Sequence, residues 1–253
     1  MNWANANTPK YVAADKFNGH EYVDLGLPSG TLWAKMNVGA SSETDAGLYF
    51  AWGETEGYTA SQIPSKKKFY WDDYKFGSRS PFSKYGNDGL TKLELTDDAA
   101  RANWGGDWHM PNREQCIELF KETTNGFVTN AGAFTQYAWS DNDSYSSPTS
   151  TTAAISGWDT AGYFFFKNTY TSVTDAITAE DYLFIPAAGY CEDGMVGIVG
   201  FDGGVWASAL NSEGVGSAWY FNFSRNGAGV NDFYRYSGRS VRGVVGEIED
   251  PLK

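Results

Sequence analysis

The stretch that most limits how this chain can fold is Ser217-Ala-Trp-Tyr-Phe-Asn-Phe-Ser224, followed at once by Arg225-Asn226-Gly227. Side chains of an extended strand point to alternate faces, so Trp219, Phe221 and Phe223 share one side and Ala218, Tyr220, Asn222 and Ser224 the other. The ring-bearing side has to meet a core. Asn and Gly accept positive φ, so Arg225-Asn226-Gly227 predicts a reversal and makes the stretch the first leg of a hairpin. The second leg, Ala228 to Gly238, drops the alternation and runs through Asn231, Asp232, Phe233, Tyr234, Arg235, Tyr236 and Ser237. That mixture is poor core and good contact surface, so the leg and the Tyr220/Asn222 side of the strand are expected to be exposed.

Charge sets this region apart. The chain carries 19 Lys+Arg against 31 Asp+Glu, a net −12, yet residues 217–245 hold Arg225, Arg235, Arg239 and Arg242, a lone acid in Asp232, and no lysine. Tyr, Trp and Arg without Lys or Glu is the composition of protein-binding hot spots, because rigid rings and planar guanidinium groups give contact area at low entropic cost. The whole chain is 17% aromatic, so core filling by the same rings remains the alternative. An acidic chain lacks the basic footprint that a phosphate backbone requires, so no nucleic-acid partner is expected. A protein or glycan surface fits better.

Most of the remaining chain reads as short strands between irregular segments. Residues 1–18 are polar and read as an N-terminal arm. Residues 21–34 predict two short strands about a Pro28-Ser29-Gly30 turn, and 48–52 a third. Residues 53–92 predict a long loop packed by its own rings (Phe69, Tyr70, Trp71, Tyr74, Phe76). Two helices are expected next. One starts at Thr96 as N-cap with Asp97 and Asp98 in its first turn and runs through Ala102. The other follows the capping-box pattern Asn112-Arg-Glu-Gln115 and carries the stripe Cys116, Leu119, Phe120. Residues 125–181 are Ser/Thr/Asn-rich and read as an insertion with strands at 136–139 and 163–166; further strands fall in 182–190 and 197–206. The fold class expected is α+β, with two helices, short antiparallel strands and extensive loops.

Motifs for chemistry are sparse. Nucleophilic catalysis needs a base, and only His20 and His109 are available. Gly238-Arg-Ser-Val-Arg242 fails as a nucleophile elbow at its last position, and no phosphate loop occurs. Cys116, Cys191, His20 and His109 are too isolated in sequence for a zinc site. Asp141-Asn-Asp143-Ser-Tyr145 opens like a calcium loop but lacks the following Gly and the closing Glu, which leaves a polar turn. Cys116 reads as a small buried hydrophobe, with a disulfide to Cys191 as the alternative. The expectation is therefore a non-enzyme with no metal and no cofactor. No leader with a basic start and apolar middle is visible, and no run approaches the roughly 18 apolar residues of a membrane span, so membrane insertion is not expected.

Several motifs in order resemble a known family: Gly19-His-Glu-Tyr-Val-Asp-Leu-Gly-Leu-Pro-Ser-Gly-Thr-Leu-Trp-Ala, Asn37-Val-Gly-Ala, Tyr49-Phe-Ala-Trp-Gly-Glu, Asn103-Trp-Gly-Gly-Asp-Trp-His-Met-Pro, Phe184-Ile-Pro-Ala-Ala-Gly-Tyr and Gly238-x-Ser-Val-Arg. They are similar to the C-type-lectin-fold proteins of gut Bacteroidetes and their phages. The resemblance spans residues 19–245 apart from 125–181. It implies a single C-type-lectin-fold domain at 19–248, with the insertion at about 125–181 and a ligand-binding variable region at about 206–244. The same fold serves the formylglycine-generating sulfatase modifiers, whose catalytic cysteine pair near the C-terminus has no counterpart here. The Glu-Pro-Asn and Gln-Pro-Asp tripeptides of calcium-dependent sugar binding are also missing.

Within that family, residues 206–244 resemble the region diversified by diversity-generating retroelements. There a reverse transcriptase miscopies adenines, so that asparagine codons scatter over a set including Asn, Tyr, Asp, Ser, Gly and Phe. The resemblance implies diversified positions at Tyr220, Asn222, Ser224, Gly227, Gly229, Asn231, Asp232, Phe233, Tyr234 and Ser237. Tyr236, Arg225 and Arg239 would add contacts, the arginines by pairing with acids. Trp219, Phe221, Phe223, Val230, Arg235, Gly238, Ser240, Val241 and Arg242 would form the fixed scaffold. The function implied is recognition of a protein or cell-surface ligand, from a phage virion tail or from a cell surface after leader removal. A fixed-specificity adhesin or glycan-binding module, and a relative of the sulfatase modifiers, are the alternatives.

Overall fold

A computed structural model describes residues 16–78, 81–86, 88–141 and 145–246. Most of the expected arm, Asp143 of the polar turn and the extreme C-terminus lie outside these. In chain order the strands are β1 (Lys16–Phe17), β2 (His20–Val23), β3 (Leu32–Asn37), β4 (Tyr49–Phe50), β5 (Thr123–Val128), β6 (Ala133–Ser140), β7 (Tyr145–Ala154) and β8 (Gly162–Lys167). They continue with β9 (Tyr182–Pro186), β10 (Tyr190–Glu192), β11 (Met195–Gly197), β12 (Asp202–Leu210), β13 (Ser217–Ser224), β14 (Gly227–Tyr234), β15 (Arg239–Ser240) and β16 (Arg242–Val245). The helices are α1 (Ile63–Lys66), α2 (Ala99–Trp104), α3 (Arg113–Glu122) and α4 (Val173–Thr178).

Sixteen strands and four short helices among the described residues overturn the expected two-helix α+β lectin fold; the molecule is mostly β. A 10-stranded sheet runs β4-β15-β12-β13-β14-β7-β6-β5-β8-β9, a 4-stranded sheet runs β1-β2-β3-β16, and β10 pairs with β11 alone. The reason lies in residues 125–181. Their polar surface hides Phe127, Phe134, Tyr137 and the run Tyr163–Phe166, all buried, and a strand buried on both faces has no alternation to betray it. Among the described residues these strands pair with the C-terminal hairpin at Ala228↔Ser146 and Gly229↔Tyr145. Residues 125–181 thus supply four of the ten strands of the main sheet, β5 to β8.

The large sheet curls. Gly189 N–H donates to Asp202 O (2.8 Å) and Gly200 N–H to Ala187 O (2.7 Å), which draws the end of β9 toward the start of β12. The fully buried Arg242 then ties three strands together, with Nε to Asn37 Oδ1 (2.9 Å), Nη1 to Ala34 O (2.9 Å) and Nη2 to Phe184 O (3.1 Å). A buried guanidinium is tolerable because its donors are met.

α3 begins where the sequence places it. Asn112 Oδ1 accepts from Gln115 N–H (2.7 Å) while Gln115 Oε1 accepts from Asn112 N–H (2.9 Å), a complete capping box. Its Cys116, Leu119 and Phe120 pack in the core with Tyr163, Phe165, Phe221 and Phe223. α2 starts later than expected. Asp98, not Thr96, caps it by accepting from Arg101 N–H (2.9 Å), whereas Asp97 is taken by Lys75 (2.7 Å), Lys84 (2.5 Å) and Tyr85 (2.7 Å). Cys116 and Cys191 are both free and buried.

Candidate ligand-binding face

The C-terminal hairpin forms as expected. β13 and β14 pair residue for residue from Ser217↔Tyr234 to Ser224↔Gly227, and β12 flanks β13 with Trp206↔Tyr220, Gly204↔Asn222 and Asp202↔Ser224. Directly opposed residues share a face. Phe221, Phe223 and Val230 therefore point into the core with α3, and Tyr220, Asn222, Ser224, Asn231 and Phe233 lie together on the other side.

That other side is only half open. Asn231, Asp232, Tyr234 and Arg225 are exposed, and Asn222, Ser224 and Phe233 are half-exposed; the Asn231 amide donates to Asn222 Oδ1 (2.7 Å). Six expected contact residues are instead buried: Tyr220, Gly227, Gly229, Tyr236, Ser237 and Arg239. Each has a visible cause. The Tyr220 ring lies between Trp206 (5.8 Å) and Phe233 (6.2 Å), in a core built partly by rings of the 53–92 loop. Gly227 lies under Tyr145, whose Oη is 1.5 Å from where a Cβ would stand, and Gly229 pairs with the same residue. Tyr236 packs at a tilt against Trp71 (4.5 Å between ring centres), and its hydroxyl and that of Ser237 both donate to Glu192 Oε1 (3.0 Å each).

Arg239 does not reach a partner's acids. Its guanidinium carbon sits 3.9 Å from the Tyr220 ring centre, 4.5 Å from Phe233, 5.0 Å from Tyr190 and 5.5 Å from Trp206. Its Nε and Nη1 have no hydrogen-bond partner among the described residues, so the rings are its solvation. Burial lowers its pKa, partly offset by Tyr220, Asp202 and Tyr190. Nearby, burial pushes the Asp202 carboxyl up to about 6, with Arg239 pulling it back. The Tyr220 phenol is raised by burial and lowered again by Arg239.

The expected scaffold residues sit inside. Phe221, Phe223, Val230, Gly238, Ser240, Val241, Arg235 and Arg242 are buried, and half-buried Trp219 stacks on the Arg113 guanidinium (4.4 Å).

The sequence reading missed one wall of this face. β10 and β11 form a hairpin whose outer side bears Tyr190, Glu192 and Met195, and Tyr190 meets Phe233 at 5.6 Å. Beyond it, Ile198, Val199 and Phe201 are exposed, and Arg225 lies 5.5 Å over the Phe201 ring. A signal was present in Gly194-Met-Val-Gly-Ile-Val-Gly-Phe201, where glycines separate apolar residues that neither helix nor strand periodicity would bury.

No family model, curated protein or solved structure matches the chain. The site therefore stands on its own geometry. Among the described residues no group of three or more His, Cys, Asp and Glu could hold a metal ion, and no helix is long and apolar enough to cross a membrane. A separate cleft of about 290 Å³ is lined by Lys16, His20, Glu21, Met36, Asn37 and Trp104. Its polar groups are mostly engaged within the chain: Lys16 pairs with Glu21 (3.3 Å), His20 stacks on Trp104 (4.3 Å), and Asn37 is held by Arg242 and Ala46. The β12–β14 face is the stronger candidate, able to offer rings, amides and a half-buried carboxyl to a ligand.

Proposed function

We propose that the open end of the β12–β14 face is a recognition surface and that the protein binds a protein or cell-surface ligand through it. One observation carries this reading. Asn222, Ser224, Asn231 and Phe233 form one accessible tract on a strand pair whose opposite side, Phe221, Phe223 and Val230, is locked in the core, and exposed Asp232 and Tyr234 flank that tract at the open end of β14. Side chains on such a tract can be exchanged at little cost to the fold. All six residues also belong to the set that adenine-directed miscopying of asparagine codons yields, so diversification by a retroelement is part of the proposal.

Alanine at Phe233 and Tyr234 tests the surface. Against a ligand selected on the immobilised chain, each substitution is expected to weaken binding about tenfold or more, as hot-spot rings do. Unchanged affinity in both variants would remove this face from consideration. A fixed-specificity binder is the second reading, favoured by the burial of four of the ten expected diversified positions, Tyr220, Gly227, Gly229 and Ser237. Neighbouring DNA with no near-copy of this segment, and no adenines at the codons for the six open positions, would select it.

A further inference from the structure

Among the described residues seven large hydrophobic side chains are exposed: Tyr70, Leu95, Met195, Ile198, Val199, Phe201 and Tyr234. Single exposed apolar residues need no explanation, but a cluster does. Met195 (68% exposed), Ile198 (47%), Val199 (58%) and Phe201 (60%) come from one short stretch. Tyr70 joins them by donating its hydroxyl to Asp193 O (2.7 Å) at the β10–β11 turn. Tyr234 joins through Phe233 (5.6 Å), which meets Tyr190 on the same hairpin (5.6 Å). Six of the seven thus lie on or against one lip.

The lip is also strained. Ile198 has φ 51°, a left-handed conformation that glycine or asparagine adopts freely and a β-branched residue does not. The turn that imposes it is pinned. Ile198 O accepts from Phe201 N–H (3.1 Å) and Asp202 N–H (3.2 Å), and Gly200 N–H donates to Ala187 O (2.7 Å). Half of the Ile198 side chain remains in solvent, so burial does not repay the strain, and an isoleucine here serves presentation rather than stability.

Charge indicates what the lip meets. Glu192 lies on the outer side of the hairpin, exposed Asp193 at its turn and Asp202 at its base. Of the cations near it, exposed Arg225 lies over Phe201 and buried Arg239 lies behind it over Tyr190, and the chain as a whole carries −12. We infer that the Met195–Phe201 lip docks a polypeptide segment whose apolar side chains are flanked by lysine or arginine. This rests on the recognition-surface reading and assigns the partner's chemistry to a wall outside the variable hairpin. The rigid turn keeps the ordering cost of docking low, and the acidic rim favours a basic partner over neutral or acidic competitors.

The test selects a random peptide library on the immobilised full chain, then titrates the enriched peptides against variants. Enriched peptides are expected to combine Leu, Ile, Phe or Trp with Lys or Arg. They should bind about tenfold or more weakly to Val199→Ser/Phe201→Ser and lose affinity in high salt. Ile198→Gly is expected to raise the thermal midpoint while weakening the peptide, a pairing that a merely structural turn does not give. Failure to enrich any peptide, or enrichment of acidic or uncharged ones, overturns the inference. Loss of binding in Phe233→Ala and Tyr234→Ala but not in the lip variants overturns it too, and leaves the recognition surface standing. Indifference to both sets sinks both. A wild-type dimer that Val199→Ser/Phe201→Ser makes monomeric identifies a second copy as the occupant and also overturns it.

Discussion

Arg235 and Arg239 leave the same short segment, are both buried, and are both surrounded by rings, yet they are held in opposite ways. Arg235 donates to Tyr74 Oη (2.9 Å), Tyr85 O (2.9 Å), Val215 O (3.0 Å) and Lys84 O (3.0 Å), between the Phe82 ring (4.5 Å) and the Trp52 ring (5.0 Å). Arg239 has an unpartnered Nε and Nη1 and relies on Tyr220, Phe233 and Tyr190. Hydrogen bonds are directional and fix backbone against backbone, whereas ring stacking tolerates displacement. The first arginine fastens the 74–85 loop to the end of β14 and belongs to the frame. The second lies beneath the aromatic floor of the recognition face.

The contrast predicts unequal costs of removal. Arg235→Met leaves three carbonyls and a phenol in the interior without donors, and should cost about 3–5 kcal/mol in chemical denaturation. Arg239→Met removes a charge whose Nε and Nη1 have no partner among the described residues and replaces it with a side chain that also packs well on rings, so roughly 1–2 kcal/mol is expected. Lysine should not rescue position 235, because one ammonium cannot reproduce the fork. Equal losses at the two positions would end the distinction between frame and floor.

Much of the frame was legible because its signals are local. The alternation of Trp219, Phe221 and Phe223, the reversal at Arg225-Asn226-Gly227 and the Asn112–Gln115 capping box all act within a few residues, and each appears where expected. What was not legible depends on distant partners. Nothing near Tyr220 announces that loop rings and Trp206 will cover it, and nothing near Gly227 announces Tyr145. Asp97 lost its place at the helix start to Lys75 and Lys84, which approach from the preceding loop. In residues 125–181 serines and threonines dominate the composition, so the sequence does not announce that their buried rings build four strands of the main sheet. The lip escaped because its apolar residues follow a strained turn rather than a period.

Asp202 sharpens the comparison because its ionisation senses one arginine and not the other. A carboxyl with a pKa near 3.8 unfolded and about 6 folded binds more protons in the native state between those values. Its contribution to stability is therefore present below about pH 4 and lost as pH rises through about 6. Asp202→Asn should be more stable than the parent by roughly 1–2 kcal/mol at about pH 8, allowing for partial solvent screening, with the difference vanishing toward about pH 4. Thermal unfolding across that range measures it. Arg239→Met removes the cation that pulls this carboxyl down, so its midpoint should climb further above 6, whereas Arg235→Met should leave it in place.

The smallest effects are expected where neither arginine reaches. Asn231 and Asp232 stand exposed on β14, the side chain of the first donating to Asn222 Oδ1 and the second opposite Trp219. Exchange to Ser, Tyr or Gly should move stability by no more than about 0.5 kcal/mol, since no buried donor, cavity or cap is disturbed. Gly227→Ser, also within the set expected of diversification, should cost clearly more because Tyr145 must move. If unfolding midpoints rank these substitutions the other way, the exchangeable tract is not the exposed one. The division between a frame held by hydrogen bonds and a face free to vary then loses its basis, because the positions that tolerate change would be those the 53–92 loop and Tyr145 cover.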